Sequence, residues 1–246
     1  MQDAPRAPGN QGQPAWVATA GLTAVAMVAF AANSLLARLA LRETTIDAAS
    51  YTAIRLVSGA VVLWLLGGGP RSAPRAHGNW ISAIALFVYA IAFSFAYRQL
   101  TAATGALLLF GAVQTTMLGR AWFQGERFTL PQACGLFLAL AGFVGLVLPG
   151  LSAPPLSGSV LMVAAGAAWG VYSLRGLGVT DPLRATGGNF LRAAPIALVV
   201  TLLTLSLHSG DREGVLLAVS SGALASLTIL GGIALVILRR GSRKPA

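Results

Sequence analysis

Acidic residues are scarce in this 246-residue chain, with seven Asp and Glu against seventeen Lys and Arg, two histidines and one cysteine. A single cysteine excludes a disulfide framework and a metal-thiolate cluster, and Cys134, inside an apolar run, reads as packing. Charged residues make up 10% of the chain, against roughly 25% in a soluble domain. So few charges cannot cover a soluble surface, which excludes a soluble enzyme core and a disordered regulator. All seven acids (Asp3, Glu43, Asp47, Glu126, Asp181, Asp211, Glu213) and both histidines (His77, His208) fall in tails, loops or the ends of apolar runs. The sequence therefore offers no interior proton relay, paired carboxylates or metal spacing, and predicts neither an enzyme nor a cofactor or metal.

What is present is apolar: 56% hydrophobic residues and a mean hydropathy of +0.74. Apolar runs long enough to cross a bilayer, about 20 residues each, extend from Trp16 to Ala40, Ala48 to Leu66, Trp80 to Tyr97, Ala102 to Ala121, Leu130 to Leu148, Gly158 to Leu174, Pro182 to Leu207 and Val215 to Leu238. Only helices satisfy their own backbone polar groups in lipid without a closed barrel, so the expected fold is all-α, a polytopic transmembrane bundle of about eight spans. Pro131 and Pro182 sit near two starts, where proline suits a first helical turn.

The net charge of +10 would suggest nucleic acid if it clustered on one face. Instead the basic residues lie in short loops and at the C-terminus, which predicts no nucleic-acid partner and supplies an orientation signal. With the N-terminus inside, eleven Lys and Arg fall on the cytoplasmic side (among them Arg71, Arg75, Arg175 and Arg239) and four outside (Arg38, Arg42, Arg98, Arg212). Both termini are expected in the cytoplasm. Residues 1–15, beginning MQDAPRAPGNQGQP, read as a disordered cytoplasmic tail, and residues 239–246 as a basic one. Ala29-Phe30-Ala31 looks like a signal-peptidase site, but the run from Trp16 is too long for a leader and is expected to stay as a span.

The chain also repeats itself. Arg38 and Arg175 are 137 residues apart, as are Arg55 and Arg192, with apolar runs in register behind them. The first unit has five spans, so the second enters the membrane inverted, as in many secondary transporters. The second has only three. Its close, LGGIALVIL from Leu230, is similar to LAGFVGLVL from Leu140, which implies a loss of about 47 residues with the join near Ser226 and Leu227.

FAANSLLARLAL at 30–41, LLFGAVQTTM at 108–117, GERFTLPQACGLFLALAGFVGLVLPGL at 125–151, WGVYSLRG at 169–176 and DPLRATGGNFLRAAP at 181–195 resemble the EamA-type permeases of the drug/metabolite transporter superfamily. The resemblance runs from Trp16 to Arg240. It implies two inverted five-helix repeats in a bacterial inner membrane, here a complete unit at 16–148 and a shortened one at 158–238, and a permease for a small metabolite or drug-like solute. The absent segment makes a transport-inactive chain, or one that pairs with itself or another chain, the alternative.

Candidate pathway residues are the polar and aromatic positions inside spans: Asn33, Tyr89, Tyr97, Gln114, Trp169, Tyr172 and Asn189. Carboxamides are the sharper signal, because they are harder to satisfy in lipid than a hydroxyl that bonds back along its own helix. Arg192, three residues before Pro195, adds a cation beside a carbonyl that proline leaves unpaired. Its repeat mate Arg55 is expected near the outer face as an interfacial anchor. Small residues four apart, as at Gly166 and Gly170, are expected to let helices approach closely.

Overall fold

In the computed structural model the described residues are 15–67, 77–125, 154–204 and 211–241, with isolated positions between 129 and 141. Among them every regular element is a helix: α1 (Ala15–Glu43), α2 (Ala48–Leu66), α3 (Trp80–Tyr97), α4 (Ala102–Phe123), α5 (Leu156–Gly176), α6 (Pro182–Leu203) and α7 (Arg212–Gly241). All seven contain stretches long and apolar enough to cross a membrane, so the chain is a multi-pass helical membrane protein. The fifth expected span, Leu130 to Leu148, falls largely outside the described residues, as do both tails and Glu126.

Helix starts follow from capping chemistry. Asp47 accepts the amide hydrogens of Ala49 and Ser50, Asn79 that of Ser82, Thr101 that of Thr104, and Asp181 that of Arg184 just after Pro182. Each supplies an acceptor for an otherwise orphaned first-turn donor. Two of the limits that differ from the apolar runs have a local hydrogen-bonding cause. α6 stops at Leu203, where the Thr204 hydroxyl turns back to the carbonyls of Val200 and Thr201, and α7 begins three residues early, at Arg212, because Asp211 caps it through the Gly214 amide. α7 runs unbroken through Ser226 and Leu227, the expected join.

The bundle is assembled on small residues. α2 lies centrally, against α6 on one side and α7 on the other, while α3 packs along α5 and α1 along α7. At Gly222 the backbone of α7 comes so near α2 that an added Cβ would overlap the Ser58 hydroxyl and the Arg55 carbonyl. Gly166 and Gly170 do the same for α5, pressing it onto Leu109, Ala112 and Thr116 of α4. Close backbone approach is what drives helix association where lipid is as apolar as the side chains.

Hydrogen bonds show which helix ends share a face. At one end Arg42 of α1 donates to the Arg98 carbonyl after α3 (2.9 Å), the Asp211 amide before α7 to Thr45 (3.2 Å), and Ser157 of α5 to Gln99 (2.6 Å). At the other, the start of α3 meets the end of α5 and the first half of α6.

Candidate functional site

The site is organised by the rotation of α2. Thr52, Arg55, Leu56, Gly59 and Leu63 recur at helical spacing on its buried side, while Val57, Val61, Trp64 and Leu65 face outward. Arg55 is the eighth residue of this helix, about 11 Å from its start at 1.5 Å per residue. It is only 2% exposed. The expectation of an interfacial anchor is therefore corrected: the side chain cannot snorkel, because it is turned into the bundle and Gly222 of α7 closes over its backbone.

In this interior Arg55 Nη2 donates to the Tyr89 hydroxyl (2.9 Å), and the guanidinium carbon lies 4.7 Å from the ring centre of Phe93 and 5.3 Å from that of Tyr89. Both distances are within the range of cation–π attraction. Nη1 is buried and has no hydrogen-bond partner. Among the described residues no carboxylate pairs with Arg55; Asp47, one of the nearest acids in sequence, spends one oxygen on capping α2. The Tyr51 and Tyr97 hydroxyls, beside Ser221 and Ser34, are likewise buried outside hydrogen-bonding geometry.

Arg55 lines a narrow cavity of about 20 Å³, room for about one water. Six helices contribute to the wall: Phe30 and Asn33 from α1, Arg55 from α2, Tyr89 from α3, Trp169 from α5, Phe190 from α6 and Thr228 from α7. The Asn33 carboxamide oxygen accepts from Ser221 (2.8 Å), which fixes the orientation of the amide beside the cavity. Tyr89 and Trp169 meet at 4.8 Å between ring centres, and Tyr172 stacks behind Trp169 at 5.4 Å.

Of the sequence candidates, Asn33, Tyr89 and Trp169 are thus gathered on one cavity with Tyr172 behind them. Tyr97 is fully buried against Phe93 and is not among the residues lining the cavity. Gln114 lies on the exposed face of α4, away from the cavity. Asn189 and Arg192 belong to a different cluster: the Asn189 oxygen accepts the Asn79 amide (2.9 Å), and Arg192 Nη1 donates to the carbonyls of His77 (2.7 Å) and Gly188 (2.9 Å). They fasten the segment before α3 onto α6. Gly78 stands in this clamp with φ +84, and an added Cβ would meet the Asn189 oxygen.

The residues that sequence reasoning missed are Phe30, Arg55, Phe190 and Thr228. For Arg55 a signal exists in the stripe it shares with Thr52 and Gly59. For the aromatic and threonine members there is none, because in an apolar helix they look like lipid-facing positions. Among the described residues no three His, Cys, Asp or Glu side chains gather as a metal site would require. The cavity offers one fixed cation, amide and phenol hydrogen-bonding groups and aromatic faces, which suit a small solute held by charge, hydrogen bonds and stacking.

No protein-family profile matches the chain. It is 54% identical over 209 residues to the uncharacterized protein PA1977 of Pseudomonas aeruginosa, an alignment covering 83% of this chain and 72% of that protein, which is therefore the longer of the two. A solved crystal structure of a protein at 19% identity superposes with a TM-score of 0.60, covering 92% of this chain and 91% of that one. At this identity the likeness concerns the fold alone.

Proposed function

Because the chain belongs to the same family as that Pseudomonas protein and crosses the membrane repeatedly, we propose that it is a permease of the EamA type, moving a small metabolite or drug-like solute by alternating access in a bacterial inner membrane, with both termini cytoplasmic. The observation that carries this reading is the cavity walled by helices from both halves of the chain. The packing supports the inverted repeat: α1 against α7 and α3 against α5 are the two pairs that exchanging the halves would interconvert, with α2 against α6 mapping onto itself. No enzyme constellation enters, and the partners are the solute and the bilayer.

The test is reconstitution of the purified chain in liposomes and counterflow of radiolabelled amino acids, organic acids and neutral metabolites. Saturable accumulation above protein-free vesicles is expected, and its absence for every solute would sink the proposal.

The longer relative favours one second reading, that the shortened repeat leaves a transport-inactive chain or a hetero-oligomer partner. The mass of the detergent-solubilised chain checks it. A stable monomer argues against obligate pairing.

A further inference from the structure

We infer that Arg55 receives the charged group of the solute when the cavity opens, so that the site selects small organic acids with one carboxylate on an apolar or aromatic body. This deepens the permease reading and rests on it for what the binding accomplishes.

The argument starts from an uncompensated charge. A guanidinium keeps its proton inside proteins, and burying a cation without a partner forfeits its hydration with nothing to offset the loss. Arg55 is buried, yet among the described residues no carboxylate answers it; its surroundings are phenols and rings that attract a cation without neutralising it. Ionisable residues inside membrane bundles otherwise pair with one another or face a pathway. Arg192 at the repeat-related position shows the satisfied alternative, since it bonds two carbonyls.

The geometry says what the partner must be. Tyr89 holds Nη2 and so fixes the plane of the guanidinium, and Nη1 of this cavity-lining residue is left buried without a hydrogen-bond partner. A planar fork presented this way matches a carboxylate. One positive charge calls for one negative charge, and a cationic solute would meet repulsion with no acid to offset it. On the same cavity, Phe30, Trp169 and Phe190 provide apolar and aromatic surface for the rest of the molecule. Asn33, held by Ser221, lines the same cavity and can take a second polar group.

Benzoate, benzamide and benzamidine share a shape and differ in charge, and so separate these terms. Each is titrated into the full chain in phosphatidylcholine nanodiscs, with acetate and acetamide as smaller probes, and binding is read from tryptophan fluorescence and thermal stability. A carboxylate is expected to bind saturably and at least about thirtyfold more tightly than its amide or amidine, as for a buried charge-assisted pair. Arg55→Gln should lose that preference, and Arg55→Lys should keep part of it. Equal binding of benzamide or benzamidine, wild-type benzoate affinity in Arg55→Gln, or no response to either carboxylate would each overturn the inference. Should Arg55→Gln not fold, the charge ranking on the unaltered chain still decides. A parallel series in phosphatidylglycerol nanodiscs tests a lipid phosphate as the anion; if benzoate is displaced there, the solute assignment falls. The assay needs no gradient, so carboxylate binding without counterflow would overturn the permease reading alone. Counterflow of neutral solutes that survives in Arg55→Gln would overturn this inference alone.

Discussion

Arg38 and Arg175, 137 residues apart in the sequence, grip opposite ends of the same helix. Arg38 reaches from α1 to the Tyr97 carbonyl at the close of α3 (3.4 Å), and Arg175 reaches from α5 to the Ser82 hydroxyl (3.2 Å) and the Asn79 oxygen (3.1 Å) at its start. The first sits at the negative end of the helix dipole, where a cation is favoured. The second sits at the positive end and is tolerated because the capping oxygen of Asn79 lies between.

Replacing Arg175 by Ala removes two hydrogen bonds made by a partly exposed cation. It should lower stability by about 1 kcal/mol, read as a fall in melting temperature of the detergent-solubilised protein. Arg38→Ala, which removes one long bond, should do less.

Gly222→Val should prevent assembly, because its side chain would occupy the space of the Ser58 hydroxyl and the Arg55 carbonyl and push α7 from α2. The loss appears as disappearance of the monodisperse peak in size-exclusion chromatography. Gly111→Val is the matched control. Nothing lies within 4 Å of an added Cβ there, and the peak should survive.

Asn189→Ala deletes the acceptor for the Asn79 amide and should cost between about 0.6 and 1.7 kcal/mol, the span measured for hydrogen bonds between membrane helices. Because this side chain belongs to the clamp before α3 and not to the cavity, carboxylate binding should be unchanged in the same preparation.

Topology is checked in a Cys134→Ser background carrying one new thiol. Gln99→Cys, at the end of the bundle shared by Arg42 and Asp211, should react with a membrane-impermeant maleimide in intact cells. Lys244→Cys should react only after permeabilisation. The reverse pattern would contradict cytoplasmic termini.

Several helix starts were legible because a polar cap stands directly before an apolar run, as at Asp47-Ala48, Asn79-Trp80, Thr101-Ala102 and Asp181-Pro182. Where no side chain caps the helix, at Pro155, the start was placed two residues late, at Gly158 instead of Leu156. Rotation was harder to read. A helix surrounded by lipid and protein is apolar on every side, so hydropathy gives the depth of Arg55 along α2 but not the direction it faces; that is set by where Gly222 lets α7 approach. The same uncertainty separated Asn33 from Gln114, two carboxamides of equal promise in the sequence, of which one meets Ser221 inside the bundle and the other faces away from it.

If the chain is the carrier proposed above, the charge on Arg55, which no carboxylate pairs among the described residues, makes it sensitive to voltage. With the cavity empty, one positive charge sits inside the membrane field; with a monoanion bound, the pair is neutral. A full elementary charge moved through 100 mV corresponds to about 2.3 kcal/mol, so any fraction of that acts on the reorientation of the empty carrier and leaves the loaded one untouched. Solute exchange, which uses only loaded carriers, should then ignore a potassium diffusion potential set with valinomycin, whereas net uptake, which requires the empty carrier to return, should follow it.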